Sequence, residues 1–326
     1  MIIETLYIEK RILDNKYTKK VIHLLKPKHI IYCQNFKEIF NLKKQNFRIQ
    51  KYRPSMILAK KENNFLIKTP KDFNIGGKNN YYFSHMYNCI FDCKYCYLQG
   101  MFNSANYVLF VNYESFFLEI KRKLDEKPNE DIYFFSGYDC DSLALEKVTG
   151  FAGSFINFFR QFKRGFLELR TKSCQVDNFL EIIPTENIIF AWSLNPQSII
   201  TKFEDKTPAL EKRLDSILKL QQRKWKIGLR FDPIILENNF EKIYNNFFED
   251  IFKKLKIENI HSVTVGSLRL PDSYVRKFQK NSLNFNLIAN TDGRKYFYNH
   301  ELSDYAKEFC VKKISQYCDK NIIFTN

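Results

Sequence analysis

The stretch NCIFDCKYCYLQG, residues 88–100, sets Cys89, Cys93 and Cys96 in the spacing C-x3-C-x2-C. A four-iron cluster takes one thiolate per iron. Three ligands this close together hold such a cluster by three corners and leave its fourth iron open to bind and activate a ligand. The competing uses of three cysteines fit less well. Zinc sites repeat C-x2-C or add histidines at close spacing, and the nearest histidine, His85, stands alone four residues upstream of Cys89. A disulfide framework suits short secreted chains. This chain has 326 residues, and its other cysteines, Cys33, Cys140, Cys174, Cys310 and Cys318, are scattered. Most of them read as ordinary buried thiols.

Working outward, the chain alternates short apolar runs with longer amphipathic stretches from about residue 80. Strands are predicted at 81–88, 131–136, 166–171, 188–194, 227–234 and 262–268. Helices are predicted near 34–45, 113–126, 143–163, 176–183, 208–224 and 239–256. Thr207-Pro208 reads as an N-cap followed by a first-turn proline. Strands alternating with helices form parallel βα units. The alternation alone leaves a partial barrel and an open doubly wound sheet both standing. In a barrel the active site lies at the carboxyl ends of the strands, and the cysteine run follows the first strand, where that rule expects it. The reading is an α/β chain in three segments. Residues 1–78 are a mixed N-terminal extension ending in TPKDFNIGGKNN, 79–281 the barrel, and 282–326 a C-terminal segment. In the last, Asp292-Gly293 suits a hairpin turn. Arg294, Lys295, Tyr296 and Tyr298 follow it, bases and aromatics of the kind that probe nucleic acid.

Composition narrows the function classes. The net charge is +16, which suggests a polyanionic partner, most simply nucleic acid. The competing source of that charge is an A/T-rich coding bias, since Lys, Asn, Ile and Phe are all abundant. No window reaches the ~18 uncharged apolar residues of a membrane span. The N-terminus MIIETLYIEKRILDNK carries acids and bases and no signal-peptide core. The expectation is a cytoplasmic, reduced protein with no membrane partner.

The cysteine spacing, with aromatic Tyr95 and Tyr97 flanking Cys96, resembles the radical S-adenosylmethionine enzymes. In these the methionine part of the cofactor caps the open iron, and an electron from the cluster yields a 5′-deoxyadenosyl radical. Within that superfamily the chain resembles the spore photoproduct lyase family. The resemblance is carried by KYCYLQG, by DSLALEKVT at 141–149, by RTKSCQVDNFL at 170–180, by WSLNPQSIITKFEDKTPALEKRLDSILKL at 192–220 and by the Gly-Arg-Lys-Tyr of the C-terminal hairpin. It implies a partial (β/α)6 TIM-like barrel of the radical SAM type with N-terminal and C-terminal extensions. It also implies a [4Fe-4S] cluster on Cys89, Cys93 and Cys96, and S-adenosyl-L-methionine near Lys172, Ser193 and Asn195. Tyr95 and Tyr97 match tyrosines of the radical steps, and Arg294, Lys295 and Tyr296 fall in the hairpin that approaches the lesion.

The implied activity is repair of a thymine dimer-type lesion in DNA, with an electron donor such as a flavodoxin or ferredoxin. One departure stands out. Tyr138 occupies the position of the family's hydrogen-donating cysteine, and Cys140, two residues on, is the candidate replacement. Two other readings remain at this stage: a radical enzyme acting on RNA or a small metabolite, and a nucleic-acid-binding protein with a structural metal site and no turnover.

Overall fold

The computed structural model describes residues 3–70, 73–272, 274–275, 288–289 and 295–325. Its N-terminal strands β1 (Thr5–Glu9), β2 (His29–Cys33) and β3 (Met56–Ala59) pair in parallel. A helix at Lys16–Leu25 links the first two; the expected helix near 34–45 reduces to a turn at Phe36–Glu38. Strand β4 (Ile67–Lys68) then turns antiparallel onto β5 (Asn79–Phe83), the first barrel strand. The predicted strand 81–88 stops at Phe83. Met86 instead packs, fully buried, among Leu6, Ile8, Leu58 and Leu109. Strand β6 (Met86–Tyr87) therefore joins the N-terminal sheet, antiparallel to β8 (Tyr107–Phe110), which pairs in turn with β3. Between them lies β7 (Asp92–Cys93). Pairing thus crosses residue 78, and the N-terminal sheet runs β2-β1-β3-β8-β6.

The second sheet follows chain order. Strands β9 (Ile132–Ser136), β10 (Gly165–Thr171) and β11 (Ile188–Ser193) lie parallel to β5. After β12 (Glu204–Asp205), strands β13 (Lys226–Ile234) and β14 (Ile260–Ser267) extend it. Strands β15 (Arg269–Pro271), β16 (Ile288–Ala289) and β17 (Lys295–Phe297) form a small antiparallel sheet. Strand β18 (Ile323–Thr325) returns to pair with β14. The order β18-β14-β13-β11-β10-β9-β5-β4, with helices in the crossovers, is a curled, open half-barrel, the one of the two arrangements left by the βα rhythm that the resemblance implied. Strands β9 and β11 are buried along their whole length, as parallel strands covered on both faces must be.

The covering helices read cleanly where their apolar stripe is regular. Tyr113–Glu126 buries Phe116, Ile120 and Leu124 at four-residue spacing. Helices Leu210–Gln222 and Phe240–Lys254 lie within the predicted spans. The single helix expected over 143–163 is broken at Gly150 (φ 58°), which ends Glu146–Thr149 and starts Phe151–Phe159. The 176–183 expectation reduces to one turn, Asp177–Phe179, with Pro184 close behind. Thr207 is not the N-cap: Ala209 is, and the Thr207 hydroxyl donates to Glu204 O at 2.8 Å. Trp192 and Trp225 are fully buried in the core with their ring N–H groups donated to Ser173 O and Phe179 O. No helix among the described residues is long and apolar enough to cross a membrane.

The short helix Leu98–Met101 after the cysteines abuts the chain beyond β15. A Cβ on Gly100 would lie 2.6 Å from Tyr274 Cα, so backbone would have to move. Gly100→Ala is expected to destabilise the fold by about 1–3 kcal/mol, read as a lowered denaturation midpoint. The isosterically remote Gly153→Ala, whose nearest atom would be a Glu146 side-chain oxygen at 3.6 Å, should show no such loss.

Candidate active site

The cysteine loop is held from both sheets. On the N-terminal side Asn88, in a left-handed conformation (φ 66°), donates its side-chain amide to Ser104 O and Asn106 O. Buried Lys51, on the helix Phe47–Tyr52, donates to Cys89 O at 2.5 Å and Phe91 O at 3.1 Å. Arg48 from the same helix pairs with Asp92 at 3.0 Å. On the barrel side β7 pairs antiparallel with β12, setting Cys93 opposite Glu204. Lys94 N donates to Phe203 O at 2.7 Å.

Beneath this ladder lies a buried polar network. Glu204 Oε2 accepts from Arg213 Nη2 at 2.5 Å, and neither side chain is exposed. Glu204 Oε1 accepts from the Tyr95 hydroxyl and from Asn195 Nδ2 at 3.0 Å. Arg213 also donates to Pro208 O, Ser193 O and Thr207 Oγ1. Burial acts to raise the Glu204 pKa, but the charges of Lys172 and Arg213 with the bonds from Tyr95 and Asn195 outweigh it and hold the carboxyl below its usual range.

A cavity of about 270 Å³ opens above the carboxyl ends of the barrel strands. Cys89, Cys93 and Cys96 all line it, as do Tyr95, Tyr97, Lys172 and Ser193. All three cysteines are free. Burial pushes the Cys89 thiol up to about 12 and raises Cys93 and Cys96, while the ammonium of Lys172 opposes that rise at Cys93 and Cys96 and that of Lys51 at Cys89 and Cys96. Lys172 stands 5.6 Å from the Tyr95 ring. Among the described residues no three His, Cys, Asp or Glu side chains are grouped as a single-ion site. A four-iron cluster spreads its ligands over separate irons, so three free thiols facing one cavity, with two ammonium groups behind them, fit that group.

The other predicted residues fall as follows. Asn195 sits behind Tyr95, within the Glu204 network, and is reached by Tyr244 at 3.4 Å. The Tyr97 hydroxyl donates to Tyr138 O, and its ring lies 5.9 Å from the Tyr138 ring, which stacks on Tyr82 at 4.7 Å. Cys140 borders the cavity but is buried, its Sγ 3.8 Å from His85 Nδ1. His85 is stacked on Phe151 at 3.6 Å, and burial lowers its pKa to about 3. Lys295 and Tyr296 lie on β17, the central strand of the small antiparallel sheet. Arg294 and the Asp292-Gly293 turn lie outside the described residues.

Sequence reasoning missed three groups. Asp141 accepts from Thr171 Oγ1, Lys172 N, Leu143 N and Ala144 N, so it locks the loop after β9 onto the end of β10. Lys51 and Glu204 grip the cysteine loop. Glu204 and Arg213 did lie inside the stretch quoted for its resemblance; that stretch gave no hint of their pairing. Lys51 had no signal at all, being one lysine among many.

Comparison with known proteins adds a lineage. A profile of the spore photoproduct lyase family matches residues 1–319. Spore photoproduct lyase of Bacillus subtilis (strain 168) is 26% identical over 211 residues, 64% of this chain and 62% of that protein. That of Geobacillus sp. is 26% identical over 177 residues, 54% and 52%. The chain thus spans less than two thirds of these two relatives. That of Clostridium acetobutylicum is 24% identical over 256 residues, 75% and 76%. Among solved structures, a spore photoproduct lyase variant with bound AdoMet and dinucleoside spore photoproduct superposes with a TM-score of 0.85 at 17% identity, covering 100% of this chain and 98% of that one. A spore photoproduct lyase complexed with dinucleoside spore photoproduct gives 0.84 at 18%, covering 99% and 98%. These likenesses establish the half-barrel fold.

Removing one partner of a buried ion pair leaves a bare charge and costs about 3–5 kcal/mol. Arg213→Met is expected to destabilise by that amount in chemical denaturation, and Glu204→Gln added to it should recover part of the loss. A carboxyl with a depressed folded pKa stabilises above its unfolded value of about 4.3 and loses that contribution as pH falls through the folded one. The difference between wild type and the double variant should therefore shrink in acid below about pH 4, not near neutrality.

Proposed function

The chain belongs to the spore photoproduct lyase family, and we propose that it is a radical S-adenosylmethionine enzyme that reverses a thymine dimer-type lesion in DNA. The observation that carries the reading is the convergence of Cys89, Cys93 and Cys96 on one cavity at the carboxyl ends of parallel strands. Cys89, Cys93 and Cys96 would hold a [4Fe-4S] cluster, and Lys172 and Ser193, on the same cavity wall, would meet S-adenosyl-L-methionine. Bound there, the two would supply one-electron radical chemistry that the protein alone lacks.

The chain's own residues do the rest. Lys172 offers its ammonium to a carboxylate or ribose oxygen. Asn195 orients Tyr95 from behind. Tyr97 and Tyr138 wall the substrate side. Cys140 is the hydrogen donor in place of the family cysteine: its S–H bond is weak, and burial holds the thiol pKa well above its ordinary value, so the hydrogen stays on sulfur. Damaged DNA is the partner, and Lys295 and Tyr296, on β17, together with Arg294 are its contacting residues. The lesion must leave the base stack to enter the cavity, which costs a few kcal/mol and least at a damaged base. An external one-electron donor of the flavodoxin or ferredoxin class completes the scheme, in a cytoplasmic setting.

The test is anaerobic reconstitution, reduction, and incubation with S-adenosylmethionine and DNA carrying the spore photoproduct. The expected result is a brown protein that cleaves the cofactor and restores thymines. Cys89→Ala, Cys93→Ala or Cys96→Ala should abolish the absorbance and the cleavage together. Cofactor cleavage without thymine release, with turnover on RNA or a metabolite, would reject the DNA substrate. A full cluster in the triple variant would reject the ligand set.

Cys140→Ala is expected to keep the cluster and cofactor cleavage and to fail at the return of hydrogen, leaving adducts or aberrant products by mass spectrometry. Normal product at the normal rate would move the donor role to Tyr138 or Tyr97.

A further inference from the structure

The cavity carries charge that the cysteines and Lys172 do not engage. Arg170, at the end of β10, lines it. Its Nε donates to Glu168 Oε1 at 3.1 Å, and its guanidinium lies 5.6 Å from the Phe73 ring. Its Nη2 is buried and has no hydrogen-bond partner. Glu168 has a second, fully buried cation besides Arg170. Fully buried Arg230 donates to both of its oxygens, at 3.3 and 2.6 Å, and is anchored in turn by Ser262 O and Ser262 Oγ. The Glu168–Arg230 pair is thus a buried base against which a third charged group, Arg170, lines the cavity.

Asp232, on β13, lines the same space. Its nearest cation is Arg269 Nη2 at 3.6 Å, beyond hydrogen-bond length. Its carboxylate lies over Gly266, where a Cβ would come within 2.8 Å of Asp232 Cγ. Phe73, Tyr82, Phe135 and Tyr138 supply flat aromatic walls. A donor and an acceptor beside aromatic faces is the pattern that reads the edge of a heterocyclic base while its ring stacks. A phosphate would meet the Asp232 carboxylate with like charge, so a neutral edge with both polarities fits better.

We propose that Arg170 and Asp232 form a base-edge subsite. The Arg170 guanidinium, which lines the cavity, donates to a ring acceptor, and Asp232 accepts from the N–H beside it. The proposal rests on the functional reading above for its two sources of such an edge. A thymine-type ring offers a carbonyl next to N3–H, and the cofactor's adenine offers N1 next to its amino group. Arg170 and Asp232 then set which base sits there and in which orientation.

The test measures the affinity of cluster-loaded protein for two probes, S-adenosylmethionine and the dinucleoside spore photoproduct. Arg170→Met keeps the stem against Phe73, and Asp232→Asn keeps the shape while replacing one acceptor oxygen by an N–H₂ donor. Losing a hydrogen bond to a charged group weakens binding about tenfold or more. Both variants are expected to lose that much for the same one probe, keeping the other and the cluster absorbance. The probe that responds identifies the source. Wild type should also bind the edge-methylated form of that probe about tenfold more weakly, N3-methyl for the lesion or N6-dimethyl for the cofactor. The variants should make no such distinction, a readout that a purely structural role would not move. If Arg170→Met fails to take up the cluster, Asp232→Asn and the methylated probes on wild type decide. Unchanged affinities in the variants, or wild type indifferent to methylation, overturn the subsite alone. Wild type that binds neither probe overturns the functional reading and this subsite with it.

Discussion

The buried pair between Glu204 and Arg213 is the constraint on which the cysteine loop depends. Two charges without solvent are expensive, and a well-packed apolar pair is often as stable or more so. What an apolar pair lacks is direction. Glu204 Oε1 fixes the Tyr95 hydroxyl and the Asn195 amide, Oε2 takes Arg213, and its backbone pairs with Cys93. A loop with three ligand positions in eight residues has little regular structure of its own. Directional bonds from a fixed carboxylate give it one conformation, and with it one relative placement of the three thiols.

The second hold comes from outside the barrel. Lys51 reaches two carbonyls of the loop, Arg48 reaches Asp92, and β6 carries the chain from the barrel edge into the N-terminal sheet just before Cys89. The five-stranded sheet is therefore part of the site's support. The three cysteines sit at a junction, with the N-terminal sheet on one side and the β12 ladder on the other, and the barrel's strand ends form the floor.

What could be read from the sequence follows the physics of each signal. The parallel βα order was legible because short apolar runs and longer amphipathic stretches alternate over about two hundred residues, and five of the six predicted strands agree with β9, β10, β11, β13 and β14 to within two residues at either end; the choice of a half-barrel over an open doubly wound sheet came from the resemblance. The first strand ran too long because Met86 and Tyr87 are as apolar as residues 81–83, and pattern cannot say which of two sheets a residue joins. Likewise 143–163 keeps a helical stripe across Gly150, and only the left-handed backbone there reveals the break. The three cysteines were singled out by spacing and Lys172 and Ser193 by resemblance, and the structure brings all five to one cavity. Lys51, Asp141, Arg170 and Asp232 were not legible, since what each contributes depends on which strand ends and loops the fold brings together around the cavity.

The electrostatics of the cavity tie these pieces together. Buried thiols are poor acids, and all three cluster cysteines are pushed upward by their surroundings. Metal ligation requires thiolates and releases their protons. Two ammonium groups, Lys51 from the helix Phe47–Tyr52 and Lys172 from just beyond the end of β10, oppose that rise. Each is itself fixed by an oxygen partner: carbonyls of the cysteine loop hold Lys51, and Asp141 holds the backbone of Lys172. The cationic groups nearest the three thiols are therefore held by contacts that also shape the loop.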